Sequence, residues 1–227
     1  MKVTIHQPPF IGWLGFWAKI MQSDLFIVVS DWQFSNSSFE HRVKVEGSYL
    51  TLPVVDVSEK KDKFPLLSDL MVKPTTKQVK TLEQSYLRKG CKNTEIIEKV
   101  ISVFKKSVNQ EVQLVALNTQ IMMILLGYLK PNFGVRFVHK ETIDAINGKT
   151  EDKSERLLML LSEHTPNYSQ YLSGGGGLDY LDPKVIPNTV FQRLPKDLDR
   201  DCILKYLRDF ELSELQNYLL TVGEFYE

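Results

Sequence analysis

The chain has 227 residues, 43% hydrophobic and 25% charged, enough to bury a substantial core as one large domain or one domain with a helical insertion. Lys plus Arg and Asp plus Glu both number 28, so no global basic field gathers nucleic acid and no polybasic block marks an anionic membrane surface. The longest apolar run, Ile121 to Leu126, is too short to span a bilayer. Cys91 and Cys202 stand too far apart in sequence to suggest a metal site or a disulfide framework. The N-terminal MKVTIHQPPF lacks the design of a signal peptide, so the expected location is the cytoplasm.

Val3 and Ile5 alternate in a first strand over Met1–Ile5, which Pro8 and Pro9 bring to an end. Gly12–Gln22 carries Trp13, Leu14, Phe16, Trp17, Ile20 and Met21 at helical spacing. The run LFIVV, Leu25–Val29, is apolar throughout, as in a parallel strand covered on both faces. Strand, helix and strand within about thirty residues make a βαβ unit.

Asp31 to Lys44 reads as a polar and aromatic stretch with a loop at Ser35–Ser38, and YLTLPVV (Tyr49–Val55) as a strand followed by a charged loop at Ser58–Lys63. From Thr76 to Leu129 the periodicity is helical, with long segments over Glu95–Lys106 and Glu111–Leu129. The second is apolar nearly all round and belongs at the centre of a helical layer, with Met122 and Met123 as core filler. A strand over Phe133–Val138, a helix over Lys153–Ser162 and a strand over Ser169–Leu172 follow. The last elements are a strand over Val190–Leu194 and a helix over Leu212–Thr221. The pattern predicts a single α/β domain over residues 1–227: a Rossmann-like, three-layer fold with a mostly parallel sheet and a helical insertion at about residues 76–130.

Ligands of open parallel sheets bind at the carboxyl ends of strands, and three polar clusters fall there. His6-Gln7 ends the first strand, Asp31 and Gln33 follow the second, and SGGGG, Ser173–Gly177, follows the Ser169–Leu172 strand. Each also has a purely structural reading: a histidine bonding a loop carbonyl, an aspartate capping a turn, a mobile glycine turn. A helix beginning at Leu178–Leu181 would point its positive end back at the glycines, making Ser173, Gly174, Gly175 and Gly176 a candidate phosphate loop. The glycine spacing matches neither the P-loop nor the dinucleotide fingerprint. In SSFEHRVKV an extended backbone would put Arg42 and Lys44 on one face, with the solvated charged loop as the alternative. No nucleophile elbow, metal set or pair of catalytic carboxylates appears by spacing, and no cofactor is indicated.

Together these residues resemble the WbqC-like family over most of the chain. The family opens on approximately His-Gln-Pro-x-Tyr-x-Pro-Trp-Leu-Gly-Phe/Tyr, then a lysine, an Ala-Asp and an apolar strand ending Asp-x-x-Gln-Phe. Here HQPPFIGWLGFWAKI and SDLFIVVSDWQF match at His6, Gln7, Pro8, Trp13, Leu14, Gly15, Lys19, Asp24, Asp31, Gln33 and Phe34. SSFEHRVKV, LTLPVV, YLSGGGGLDYL and LSELQNYLLTVGE are similar to later family segments. Gly12 departs from a usual proline, Glu40-His41 from Gln-Asn and Val43 from a second Asn, while Arg42 is kept.

The resemblance implies a role in O-antigen or other surface-polysaccharide synthesis: a transferase placing an acyl or aminoacyl group such as glycine on a sugar or nucleotide-sugar. On that reading His6 is an acid/base or phosphate contact and Asp31 its orienter. Gln7, Gln33, Arg42, Lys44, Tyr171 and Tyr180 are substrate contacts, and Gly15 joins Ser173–Gly176 around a phosphate. The expected partner is a nucleotide-sugar or other sugar-containing small molecule, without nucleic acid or membrane insertion. The opening strand–helix–strand is also similar to that of HIGH-motif nucleotidyltransferases, although Trp13 or Phe16 stands where their second histidine would. Two alternatives remain: a binding protein that holds the nucleotide-sugar without catalysis, or a nucleotidyltransferase-like enzyme.

Overall fold

A computed structural model describes residues 1–35, 39–55 and 65–226. The loop expected around residues 36–38 and the charged stretch Ser58–Lys63 lie outside the described residues. A six-stranded sheet is built from β1 (Lys2–His6), β2 (Leu25–Val28), β8 (Gly134–Phe137), β9 (Gln170–Ser173), β10 (Thr189–Arg193) and β11 (Glu224–Tyr226). Its order is β11-β10-β9-β1-β2-β8, and every pairing is parallel except that of β10 with β11. The chain lays β2 and β8 on one side of β1, then returns to lay β9 and β10 on the other. The strand order therefore reverses at the β1/β9 junction, where a crevice opens at the carboxyl edge.

Both faces of the sheet are covered. Alternate side chains of a strand point to opposite faces, so Val3, Ile5, Leu25 and Ile27 pack with Ile143 and Ile146 of α5 (Lys140–Asn147) and Leu157, Leu160 and Leu161 of α6 (Lys153–His164). Phe26 and Val28 join the larger opposite core, which takes in α1 (Leu14–Gln22), α3 (Thr94–Ser107), α4 (Leu114–Leu129), α7 (Ile203–Asp209) and α8 (Leu212–Thr221). All four residues of β2 are buried, which accounts for its unbroken apolar run.

Helix α1 is buried along almost its whole length, from Leu14 to Met21. Its entry is a left-handed turn, with φ +62° at Ile11 and +79° at Gly12. Trp17 Nε1 donates to the Ile11 carbonyl at 2.9 Å and secures that turn. At the far end Lys130 Nζ donates to the carbonyls of Ile20 (3.2 Å), Met21 (2.9 Å) and Ser23, closing carbonyls that a helix terminus leaves unpaired. Asp24 accepts from the Lys2 amide at 2.7 Å, which ties the start of β2 to the start of β1.

Two expectations are corrected between β2 and α4. YLTLPVV is not one strand. Pro53 has no amide to donate to a ladder, and the segment splits into β4 (Ser48–Thr51), paired with β3 (Arg42–Val45), and β5 (Val54–Val55), paired with β6 (Met71–Val72). Strands β3 and β4 form a hairpin, whose Glu46-Gly47 turn has both φ angles positive (+49° and +79°). Helix α2 (Thr76–Tyr86) and α3 follow, and α4 begins at Leu114 rather than Glu111 because β7 (Val112–Gln113) pairs with β6. Met122 is 1% exposed, in the core as expected, whereas Met123 is exposed. Among the described residues no helix is long and apolar enough to cross a membrane.

Candidate functional site

A cavity of about 1030 Å³ opens at the carboxyl edge of the sheet. It collects six of the residues singled out in the sequence: His6, Gln7, Asp31, Gln33, Tyr171 and Tyr180. His6 is the last residue of β1, and Gln7 follows it. Asp31 and Gln33 lie just past β2. Parallel pairing of His6 with Val28 sets these two chain ends side by side.

The His6 ring has one defined hydrogen bond. Its Nδ1 lies 2.7 Å from the Gln7 carbonyl oxygen. A carbonyl only accepts, so Nδ1 carries the hydrogen and Nε2 presents a lone pair. Burial and the nearby charge of Lys19 push the imidazole down to about 3, so it is neutral at physiological pH. The ring rests edge-on against Phe16, with centroids 5.3 Å apart. Gln7 Nε2 donates to the Trp32 carbonyl at 3.2 Å, which fixes the amide and leaves its oxygen available. Asp31 is 5% exposed, and its carboxylate has no hydrogen bond or ion pair among the described residues. This carboxylate lines the cavity.

The opposite wall comes from the α5–α6 connection and the start of α6, which nothing in the sequence pattern singles out. Asn147 brings a buried side-chain oxygen with no hydrogen-bond partner. Lys153 and Arg156, one helical turn apart, bring two positive charges with no ion pair among the described residues. Arg156 Nε donates to the Thr150 carbonyl at 2.9 Å, and Lys153 Nζ lies 5.0 Å from the centre of the Tyr180 ring. Tyr171 is buried on β9, which raises its phenol well above the ordinary value. Trp32 and Phe34 add aromatic surface.

The remaining predicted residues lie elsewhere. Arg42 and Lys44 share the outer face of β3 as the extended reading required, with Val43 and Val45 buried beneath. Neither lines the cavity, and the Arg42 guanidinium lies 4.7 Å from the centre of the Tyr49 ring. His41 packs edge-on against Phe34 at 4.9 Å. Gly15 is needed for close packing: an added Cβ would stand 2.4 Å from Trp13 and 2.5 Å from Leu194. Its carbonyl accepts from Gln192 Nε2 at 3.1 Å.

The glycine segment is a corrected expectation. No helix begins at Leu178. A short 3-10 turn instead runs over Gly175–Asp179 and ends at Tyr180, so the glycines are inside the turn rather than ahead of it. Four successive glycines lower α-helix propensity, and Pro183 disfavours helical backbone at Asp182. Ser173 and Gly174–Gly176 do not line the cavity. Ser173 is buried, and its Oγ donates to the Gly174 carbonyl at 3.2 Å.

Fold and site define a mixed α/β protein with a ligand-sized cavity at the carboxyl edge of a mostly parallel sheet. The chain belongs to the WbqC-like protein family, whose model matches residues 7–192. That match takes in every candidate site residue except His6, one position outside it. No curated protein and no solved structure matches the chain.

Proposed function

We propose that the protein binds a nucleotide-sugar or related sugar phosphate in this cavity, and transfers an acyl or aminoacyl group such as glycyl to its sugar amine in surface-polysaccharide synthesis. The observation that carries this reading is an opposition within one cavity. Among the described residues, the Asp31 carboxylate, the Asn147 oxygen and His6 Nε2 lack a hydrogen-bond donor and Lys153 and Arg156 make no ion pair, and all five line this cavity together with Glu40 and Glu151. Sugar hydroxyls and an amine supply donors for the first set, and phosphates supply charge for the second. A volume of about 1030 Å³ suits a ligand of that size. Counted among the parallel strands alone, the order is 3-2-1-4-5, which supports the Rossmann-like reading with a ligand at the switch point.

In the transfer step the sugar amine attacks the donor's acyl carbonyl. A C–N bond forms, the bond to the donor's leaving group breaks, and His6 Nε2 accepts the amine proton. Asp31 orients the acceptor sugar. The tautomer of His6 favours this role over that of a phosphate donor, because its one hydrogen already goes to Gln7. Titration calorimetry with a UDP-linked amino sugar, followed by mass spectrometry for the added glycyl group, tests the reading. Absence of binding overturns it. The weak basicity of His6 favours a second reading, a protein that holds the nucleotide-sugar without reacting. Binding with no product across activated acyl donors, and an unchanged result in His6→Gln, would establish that one.

A further inference from the structure

Lys19 is the anomaly of α1. It is 4% exposed on a helix otherwise lined by apolar side chains, and no hydrogen bond or ion pair to its ammonium is present among the described residues. Lysines are almost never buried to this degree without a partner, and desolvation of an unpaired ammonium is expensive. A methionine would fill much the same space without that cost. Burial leaves the amine less basic than usual, at about 8, so it still carries its charge at pH 7.

The surroundings of this charge are specific. Its field reaches His6 at the end of β1. Across the switch point it meets the chain leaving β9. A Cβ on Gly174 would have only Lys19 Nζ within 4 Å, at 4.0 Å. At Gly176 a Cβ would meet nothing. A Cβ on Gly175, by contrast, would stand 3.0 Å from the Gln192 carbonyl oxygen, so the backbone is bare at Gly174 and Gly176. At Gly174 no side chain stands between it and the ammonium, which leaves room there for a group that brings its own negative charge. Lys153 and Arg156 belong to the wall on the other face of the sheet, so this cation is separate from theirs.

We propose that Lys19, with the bare backbone of Gly174 and Gly176 and beside His6, forms a second anion subsite at the β1/β9 switch point, taking a phosphoryl or carboxylate oxyanion. It rests on the ligand-binding reading above for its setting, since one ligand or a donor–acceptor pair would occupy both the cavity and this crevice. The bound oxyanion neutralises the ammonium, and the free protein carries the cost of the unpaired charge.

The test compares the full chain with Lys19→Met and Arg156→Met. Inorganic phosphate and acetate are titrated at constant ionic strength, followed by melting temperature and by the His6 ring protons in NMR spectra. Wild type is expected to show saturable stabilisation and a moving His6 resonance. Lys19→Met is expected to melt higher than wild type without ligand and to bind phosphate at least tenfold more weakly, while Arg156→Met keeps the His6 response. A response to phosphate alone assigns a phosphoryl group, and a stronger response to acetate assigns a carboxylate. An unmoved His6 resonance in wild type overturns the subsite whatever the variant does, as does a His6 response to phosphate in Lys19→Met at wild-type affinity. If Lys19→Met binds a UDP-sugar and phosphate as wild type does, the subsite falls and the proposed function stands. If phosphate binding needs Lys19 but no UDP-sugar binds, the proposed function falls and the subsite stands.

Discussion

Asn118 donates its side-chain amide to the Glu40 carbonyl at 2.6 Å, and the same amide also donates to the Pro8 carbonyl at 2.9 Å. A fully buried side chain in the second turn of α4 thus holds both the segment after β1 and the segment that brings Glu40 to the cavity. The helical layer fixes the site from behind. Asn118→Leu removes both donations, to the Glu40 and Pro8 carbonyls, partly offset because the Asn118 oxygen has no hydrogen bond among the described residues. The expected cost is about 2 kcal/mol, read from urea unfolding, with weaker ligand binding in the protein that remains folded.

Gly12 shows why the chain departs from the proline usual at that position. Its φ is +79°, proline is confined near −65°, and its amide donates to the Phe10 carbonyl at 2.6 Å. Gly12→Pro is therefore expected to destabilise by upwards of about 2 kcal/mol, through strain and a lost hydrogen bond. The loss should be visible as a lower melting temperature and as altered Trp17 fluorescence, since Trp17 bonds the neighbouring Ile11 carbonyl. Equal stability of the proline variant would show that the turn can be rebuilt.

His6 gives a pH dependence of definite sign. In the unfolded chain it takes a proton as pH falls through about 6.5, whereas the folded protein resists until about 3. Over that window the unfolded state binds more protons, so its contribution to stability is fully present above about 6.5 and is lost progressively as pH falls toward 3. The wild-type protein should lose more stability than His6→Gln between pH 6.5 and 4. The His6 ring protons should not titrate between pH 5 and 8. A titration midpoint near 6.5 would contradict the geometry around the ring.

Much of this arrangement is legible in the sequence because it follows from local patterns. The unbroken apolar run of β2 declares burial on both faces, and Pro8-Pro9 marks where β1 stops, so the pattern by itself puts His6, Gln7 and Asp31 at one edge of the sheet. The cations are not legible. Lys153 and Arg156 sit at the start of a helix and read as ordinary solvated charges, and only the crossover from β8 to β9 carries that turn over the edge of β1 and β2. Lys19 matches a family motif, and its apolar neighbours Phe16, Trp17, Ala18, Ile20 and Met21 signal a buried helix without saying what its charge would meet. The helix expected after the glycines does not form because four glycines disfavour it and Pro183 lies just beyond. In YLTLPVV the hydrophobicity suggests one strand, but the missing amide of Pro53 decides the matter.

Lys130 closes the C-terminal end of α1 through three carbonyls, two of them at 3.2 and 2.9 Å. Lys130→Met keeps the length of the side chain and removes the donors, which is expected to cost about 2 kcal/mol. Because this end of α1 is far from the cavity edge, ligand affinity in the folded fraction should be unchanged. A variant that lost affinity without losing stability would mean that α1 transmits strain along its length.

The two cations of α6 make the sharpest comparison. Lys153 is exposed, and its ammonium lies over the Tyr180 ring with no ion pair among the described residues, so Lys153→Met should change stability by less than about 0.5 kcal/mol. Arg156 also bonds the Thr150 carbonyl, so Arg156→Met should destabilise modestly, by about 1 kcal/mol. Both should weaken nucleotide-sugar binding roughly tenfold, as expected for loss of one charge-assisted contact. Each should also flatten the dependence of affinity on salt, because a screened charge has been removed from the contact. Calorimetry at two ionic strengths checks both effects in one series. If affinity and salt dependence stay at wild-type values in the double variant, the phosphates do not sit on this wall, and the opposition of acceptors and cations loses its meaning as a nucleotide-sugar site.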